Sequence, residues 1–312
     1  MSPIEIENTL KYFLQKLLPH HPISEVYDYA TLPGGKLFRP GLVWSILQDL
    51  DPDQFLKSLI DKNSPHSRLA SAIEFHHSYT LIHDDMPCMD NDDMRRGKPS
   101  THKAYGEWQA LLAGDGLINI SYQLLTQIKH QRSLQLMSFF SWALGPKGLI
   151  HGQVLDLSQE MTKSFENTIR THELKTARLI QVAIVGSSLL TSTTEQIPLK
   201  KLWKFSRLLG INFQLLDDLS ELSQEQLNDH ELSVNPWLIF PEQTFRETLK
   251  NLKTFNQLAK DLKLVNTNLT INAYYQKMLE NFTQKQNVIE NHLNKKFDLV
   301  PVILLMKSFS KI

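Results

Sequence analysis

Apolar residues recur along this chain every three or four positions, the spacing of one helix face, rather than at every second position. Ile6, Leu10, Phe13, Leu14 and Leu17 form one such stripe, and Leu202, Phe205, Leu208 and Leu209 form another. No series of alternating segments predicts a sheet. Proline inside a helix costs about 3 kcal/mol, and its placement leaves room for long helices. None falls between Pro99 and Pro146, between Pro146 and Pro198, or between Pro241 and Pro301. Pro33-Gly34-Gly35 predicts a turn before the next helix. Loops are expected around Pro52, Pro65, Arg96 to Pro99, Gly145 to Gly148 and Asn228 to Pro236. None of them is linker-like, and there is no internal repeat or low-complexity tract. The expectation is an all-α fold, one domain over residues 1–312, built as a helix bundle around a central cavity into which functional groups project.

Composition narrows the function. Of 312 residues, 41% are hydrophobic and 21% charged, an ordinary globular balance with material for a sizeable core. Lys plus Arg and Asp plus Glu are equal at 33 each. A chain without net charge has no global field to recruit nucleic acid, so any anion site must be local. Cys88 is the single cysteine, which excludes an intramolecular disulfide and favours a reducing compartment. The first residues carry acids and no basic lead into an apolar run, unlike a signal peptide. No stretch approaches the roughly 20 apolar residues of a membrane span. A cytoplasmic protein is expected.

Candidate chemistry lies in two acidic clusters. The first is Leu81-Ile82-His83-Asp84-Asp85-Met86-Pro87-Cys88-Met89-Asp90-Asn91-Asp92-Asp93-Met94-Arg95-Arg96-Gly97-Lys98-Pro99. It follows an apolar helical segment, with His77 and Asp84 seven residues apart on one stripe. Pro87 predicts the end of that helix just after the Asp pair. Five carboxylates within ten residues repel one another unless cations hold them together. Carboxylates that hold Mg²⁺ beside guanidiniums that grip phosphate suit diphosphate binding. The second cluster runs from Gly210 to Glu221. Gly210, Gln214, Asp217 and Glu221 share one helix face, with Asp218 beside them, among Phe213, Leu215, Leu216 and Leu219. Carboxylates on an otherwise apolar helix are costly unless paired or metal-bound. Facing each other, two such helices would form an oxygen cage for hard cations. The residues alone leave plainer readings open: a solvated acidic loop balanced by arginines, and a surface helix with ordinary acids. They also allow a metal-dependent phosphohydrolase built on His76, His77, His83 and Asp84.

With these blocks in view, the chain resembles the trans-prenyl diphosphate synthases, specifically the bacterial farnesyl diphosphate synthases. Asp84-Asp85-x-x-x-x-Asp90 followed by Arg95-Arg96-Gly97 is similar to the family's first aspartate-rich motif, with a two-residue insertion within Met86 to Met89. Gly34-Gly35-Lys36-Leu37-Phe38-Arg39-Pro40 resembles the isopentenyl-diphosphate motif. His151-Gly152-Gln153 with Asp156, Lys175-Thr176 and Gly210 to Asp218 resemble further blocks, in the family's order.

The resemblance implies a prenyltransferase that condenses an allylic diphosphate with isopentenyl diphosphate. It implies that Asp84, Asp85, Asp90, Asp217, Asp218 and Glu221 hold about three Mg²⁺. Arg95 and Lys175 would contact the allylic diphosphate. Gly35, Lys36, Arg39, His77 and Arg96 would bind isopentenyl diphosphate, with Phe213 against its hydrocarbon. Lys175, Thr176 and Gln214 would serve catalysis, and Tyr79 with Thr80 would limit the product to fifteen carbons. A homodimer is implied as well. The chemistry needs no nucleophilic triad: diphosphate leaves an allylic carbon, the homoallylic double bond attacks, and a proton is lost.

Three positions depart from the family pattern. Leu37 stands where a basic residue is common. Glu221 replaces the closing aspartate of the second motif. The segment from Leu222 to Trp237 is shorter than in family members and has no lysine or arginine. A weakly active or non-catalytic prenyl-diphosphate-binding paralogue is the alternative these departures raise. Each lost cationic contact to diphosphate removes on the order of 2–4 kcal/mol of transition-state stabilisation. Steady-state turnover below that of a typical family member is therefore expected, and an equal rate would refute the argument.

Overall fold

The computed structural model describes residues 1–192 and 198–309, and of residue 230 the backbone only. These residues are helical almost throughout, and the paired strands among them are a two-residue hairpin, Met94–Arg95 against Lys98–Pro99. The chain forms two compact units. One comprises Met1–Phe139 with the segment that begins at Gly186. The other comprises Phe140–Val185 with the chain from Pro198 onward.

In the first unit, helix Pro3–Leu17 starts where Ser2 and Glu5 form a reciprocal capping box. Its stripe is buried at Ile6, Leu10, Phe13 and Leu14, and Leu17 is half-buried. The Pro65–Asp84 helix packs along Glu107–Thr126 and against Phe38–Leu50. Pro52 and Pro65 are each the first residue of a helix, where a missing N–H costs nothing. Asp51 caps the helix Pro52–Ile60 and also accepts from the Ser192 hydroxyl. The helix carrying the first acidic cluster stops at Asp84, as Pro87 predicts. Expected as a loop, Arg96 to Pro99 instead closes the hairpin. Arg96 and Gly97 both have positive φ, as a two-residue type I′ turn requires.

The second unit is built on helix Leu199–Glu221. Phe205 is fully buried, stacked on Phe255 at 4.8 Å, and Phe255 stacks on Phe309. The segment 228–236, expected as a loop, contains helix Asp229–Val234, and Pro236–Ile239 follows. It is fastened to the central helix by side chains. Asn235 Nδ2 donates to Asp218 O at 2.8 Å, and the buried Trp237 Nε1 donates to Leu215 O at 2.7 Å.

Helix Phe165–His172 runs into a π-helical turn, Glu173–Ala177, which carries Lys175 and Thr176. Two glycines let neighbouring helices reach it. A Cβ on Gly152 would lie 2.4 Å from Lys175 N, and one on Gly210 would lie 2.3 Å from Ala177 Cα. Glu173 fixes the turn from another side. Its Oε2 accepts from Arg207 Nε at 2.7 Å, and its Oε1 pairs with Arg178 Nη2 at 3.0 Å. The Arg178 guanidinium lies over Trp142 and Trp203, with 4.7 Å and 5.4 Å to the ring centroids.

Two outcomes follow from this packing. Gly210→Ala forces backbone against backbone and should cost about 1–3 kcal/mol in urea denaturation, as overpacking does. His66 has no exposed surface, and its Nε2 meets Ser187 O at 3.2 Å. Burial pushes its ring down to about 4, so it stays neutral while the unfolded chain takes up a proton near 6.5. Stability is therefore lost as pH falls from about 6.5 to about 4, by roughly 3 kcal/mol from this residue. Denaturation of wild type and His66→Gln at about pH 7.5 and about pH 5 should show a flatter dependence in the variant.

Candidate active site

In the first unit, the Pro65–Asp84 helix aligns Glu74, His77, Thr80 and Asp84 near one stripe. Arg39 Nη1 lies 3.1 Å from His77 Nε2, and Arg96 Nη2 lies 4.0 Å from Glu74 Oε1. Burial pushes the Glu74 carboxyl up, against the pull of Arg39 and Arg96. Burial likewise drives His77 well below its ordinary value, and the two arginines add to the effect. Gly35 belongs to the same group, since a Cβ there would meet the Arg96 guanidinium at 2.7 Å. Lys36 is exposed beside it. Leu37 takes a left-handed backbone conformation and buries its side chain against Gly34, so the missing basic residue is replaced by packing.

At the end of the same helix, Asp84 is half-buried, Asp85 buried and Asp90 exposed. Asp90 N donates to Asp84 O at 2.8 Å, which folds the following loop back. Arg95 Nε donates to Asp85 Oδ1 at 2.8 Å, and its Nη2 reaches Asp92 Oδ2 at 3.0 Å. Burial raises Asp85 even so. One turn earlier, Thr80 Oγ1 donates to His77 O at 2.8 Å. The Tyr79 ring is held edge-on between His76 at 4.5 Å and His83 at 5.6 Å. Burial, with Asp84 adding, pushes its hydroxyl up to about 12.

In the second unit, a cavity of about 210 Å³ is lined by Lys175, Thr176, Gln214, Asp218 and Glu221, among others. Lys175 Nζ pairs with Asp156. Thr176 Oγ1 donates to Gln214 Oε1 at 2.9 Å, and Gln214 Nε2 donates to Asp218 Oδ1 at 2.8 Å. Asp218 Oδ2 is buried without a hydrogen-bond partner, and His172 Nε2 lies 3.5 Å away. Burial holds the Asp218 carboxyl well above the usual range, although Gln214 pulls it down. Burial also pushes Glu221 up to about 9, with the charges of Asp218 and Glu231 adding. Phe213 stacks on Tyr274 at 4.6 Å, and neither it nor Asp217 lines this cavity.

The carboxylates fit a hard divalent cation. Asp218 Oδ2 is a buried oxygen lacking a donor, and Glu221 lies in a site short of positive charge. Among the described residues no three His, Cys, Asp or Glu side chains already converge on one point.

Several participants escape the motif reading. Glu74, three residues before His77, backs the basic group, and its signal was an acid on an otherwise apolar helix. His172 approaches Asp218 without belonging to any motif, whereas Asp156, which lies within a matching block, partners Lys175. Glu231 comes from the shortened segment and lines the cavity where family members are expected to supply lysine.

Comparison with known proteins identifies the family. The polyprenyl synthetase family model matches residues 20–230. The chain is 36% identical to farnesyl diphosphate synthase of Bacillus subtilis, over 71% of this chain and 74% of that one. It resembles the crystal structure of a geranyltransferase from Legionella pneumophila with a TM-score of 0.71 at 25% identity, over 94% and 96% of the two chains. A geranyltransferase from Helicobacter pylori complexed with magnesium and isoprenyl diphosphate matches with a TM-score of 0.68 at 27% identity, over 88% and 99%. A helical chain with these matches, and with both acidic motifs in place, belongs to the polyprenyl synthetase family.

Proposed function

We propose that the chain condenses isopentenyl diphosphate with dimethylallyl or geranyl diphosphate in a Mg²⁺-dependent reaction, with a fifteen-carbon product favoured. The observation that carries this reading is the grouping of Gly35, Arg39, His77 and Arg96, two arginines beside a histidine and a bare backbone, next to the carboxylates that end the same helix. Such a group holds a diphosphate by charge-assisted hydrogen bonds.

In this reading Gly35, Lys36, Arg39, His77 and Arg96 hold isopentenyl diphosphate, and Phe213 lies along its hydrocarbon. Asp84, Asp85, Asp90, Asp217, Asp218 and Glu221 are the ligands for about three Mg²⁺. When bound, Mg²⁺ supplies positive charge for the departing diphosphate. Arg95 and Lys175 grip the same group, each held ready by an acidic neighbour, Asp85 and Asp156. Thr176 and Gln214 present oxygens toward the allylic carbon as it becomes cationic. The double bond of isopentenyl diphosphate then attacks that carbon, and a proton passes to the released diphosphate. Tyr79, wedged between two imidazoles, and Thr80 limit elongation. We place the protein in the cytoplasm, supported by its cysteine content, and no described helix is long and apolar enough to cross a membrane. We also propose a homodimer, supported by Trp108, Leu111 and Leu112, large apolar side chains exposed on one helix.

Incubation with isopentenyl diphosphate, geranyl diphosphate and Mg²⁺, with products separated by chain length, tests the reading. Farnesyl diphosphate is the expected product, and Asp84→Ala and Arg39→Ala should each lower kcat/KM about 10²–10³-fold. Phosphate or diphosphate release without a new carbon–carbon bond, or binding without turnover, would overturn it.

A further inference from the structure

We infer that His172 is a positioning residue that sets which end of the Gln214 amide faces Thr176, acting through Asp218. The inference rests on the function proposed above for Thr176 and Gln214.

Four side chains of the second unit form one line. Thr176 Oγ1 donates to Gln214 Oε1 at 2.9 Å, Gln214 Nε2 donates to Asp218 Oδ1 at 2.8 Å, and His172 Nε2 stands 3.5 Å from Asp218 Oδ2. His172 and Asp218 are 5% and 6% exposed. All four line the same cavity as Lys175.

The line decides an orientation. A glutamine amide is nearly symmetric in shape, and rotation by half a turn exchanges an acceptor oxygen for a donor NH₂. At an allylic carbon that becomes cationic, the oxygen is favourable and the NH₂ is not. Thr176 alone cannot enforce the choice, because a hydroxyl both donates and accepts. An acceptor at the far end can, and Asp218 Oδ1 accepts from the Gln214 NH₂. The Asp218 carboxyl must in turn be kept from rotating, and the ring packed against its other oxygen, at 3.5 Å and short of a hydrogen bond, is that of His172.

The turn geometry makes the contact local. His172 precedes the π-helical turn Glu173–Ala177 and Thr176 lies within it, so both ends of the line sit four residues apart. The line thus begins and ends on one segment and passes through the Leu199–Glu221 helix between.

The test uses His172→Leu, His172→Gln, Gln214→Leu and the double variant His172→Leu/Gln214→Leu. For His172→Leu, kcat should fall at least about tenfold with both KM values within about twofold, since misplacement by an ångström costs up to about 10²-fold. His172→Gln, which keeps a polar nitrogen near Asp218, should recover kcat to within about threefold of wild type. The double variant should be no slower than Gln214→Leu, because residues acting through one contact are not additive. A second readout needs no turnover: side-chain amide exchange of Gln214, followed by ¹⁵N NMR in the substrate-free protein, should accelerate in His172→Leu and return in His172→Gln. Unchanged kcat and unchanged amide exchange in His172→Leu, or multiplicative losses in the double variant, would overturn the inference. Should His172→Leu not fold, the same pair of readouts on His172→Gln and His172→Asn decides, with no difference between them and wild type in amide exchange counting against it. A wild-type protein that forms no carbon–carbon bond, yet whose Gln214 exchange answers to His172, would refute the proposed reaction and leave the positioning intact.

Discussion

Ionised side chains taken onto packed helix faces must bring counter-charges with them, because an isolated buried charge costs several kcal/mol. Each unit of this protein meets that requirement with ion pairs. Asp85 holds Arg95, Glu74 faces Arg96, Asp156 holds Lys175, and Glu173 joins Arg178 to Arg207. In each pair the acidic partner restricts the rotamers of the cation. Binding then exchanges one anion for another around a guanidinium or ammonium already in place, so less ordering entropy is lost when substrate arrives. The carboxylates left without such partners, Asp218 and Glu221, carry the opposite signature. Their charge is suppressed by burial, and a divalent cation would restore it.

Much of this was legible in the residues. The helical stripe Leu202, Phe205, Leu208 and Leu209 is buried as its spacing predicts, and the helix bearing Asp84 ends where Pro87 requires. Gly34-Gly35-Lys36 and the arginine pair pointed to phosphate, and the structure draws Gly35 and Arg96 together. What escaped the sequence depends on tertiary approach. Gly152 and Gly210 look like ordinary helix glycines until the chain folds, when each is found against the backbone of one π-helical turn. That turn has no pattern of its own in one sequence, since the segment Glu173–Ala177 is too short to set a period. His172 carries no motif either; it matters because of what lies opposite it.

The departures divide by the same logic. Leu37 is explained by packing: its side chain is buried against Gly34 and leaves no room for a solvated cation. The segment after Glu221 is not simply a shortened loop. Asn228 caps the helix Asp229–Val234 through Glu231 N, Asn235 ties the far end to Asp218 O, and Trp237 is buried whole. Between these anchors Glu231 lines the cavity, so the segment contributes negative charge beside Glu221. Such a cavity depends more heavily on bound cations than one closed by lysines does.

The hairpin at Met94–Pro99 has a consequence for how this chain can change length. Arg95 ends one strand and reaches Asp85, whereas Arg96 occupies the left-handed corner and reaches Gly35 and Glu74. Neighbours in sequence are thus dealt to different anions by alternation and by a corner two residues wide. A single residue inserted ahead of the pair would move Arg95 into the corner and Arg96 past it, disturbing both contacts at once, while a point substitution disturbs one alone. A change of length at this spot is therefore expected to do more damage than a change of one letter.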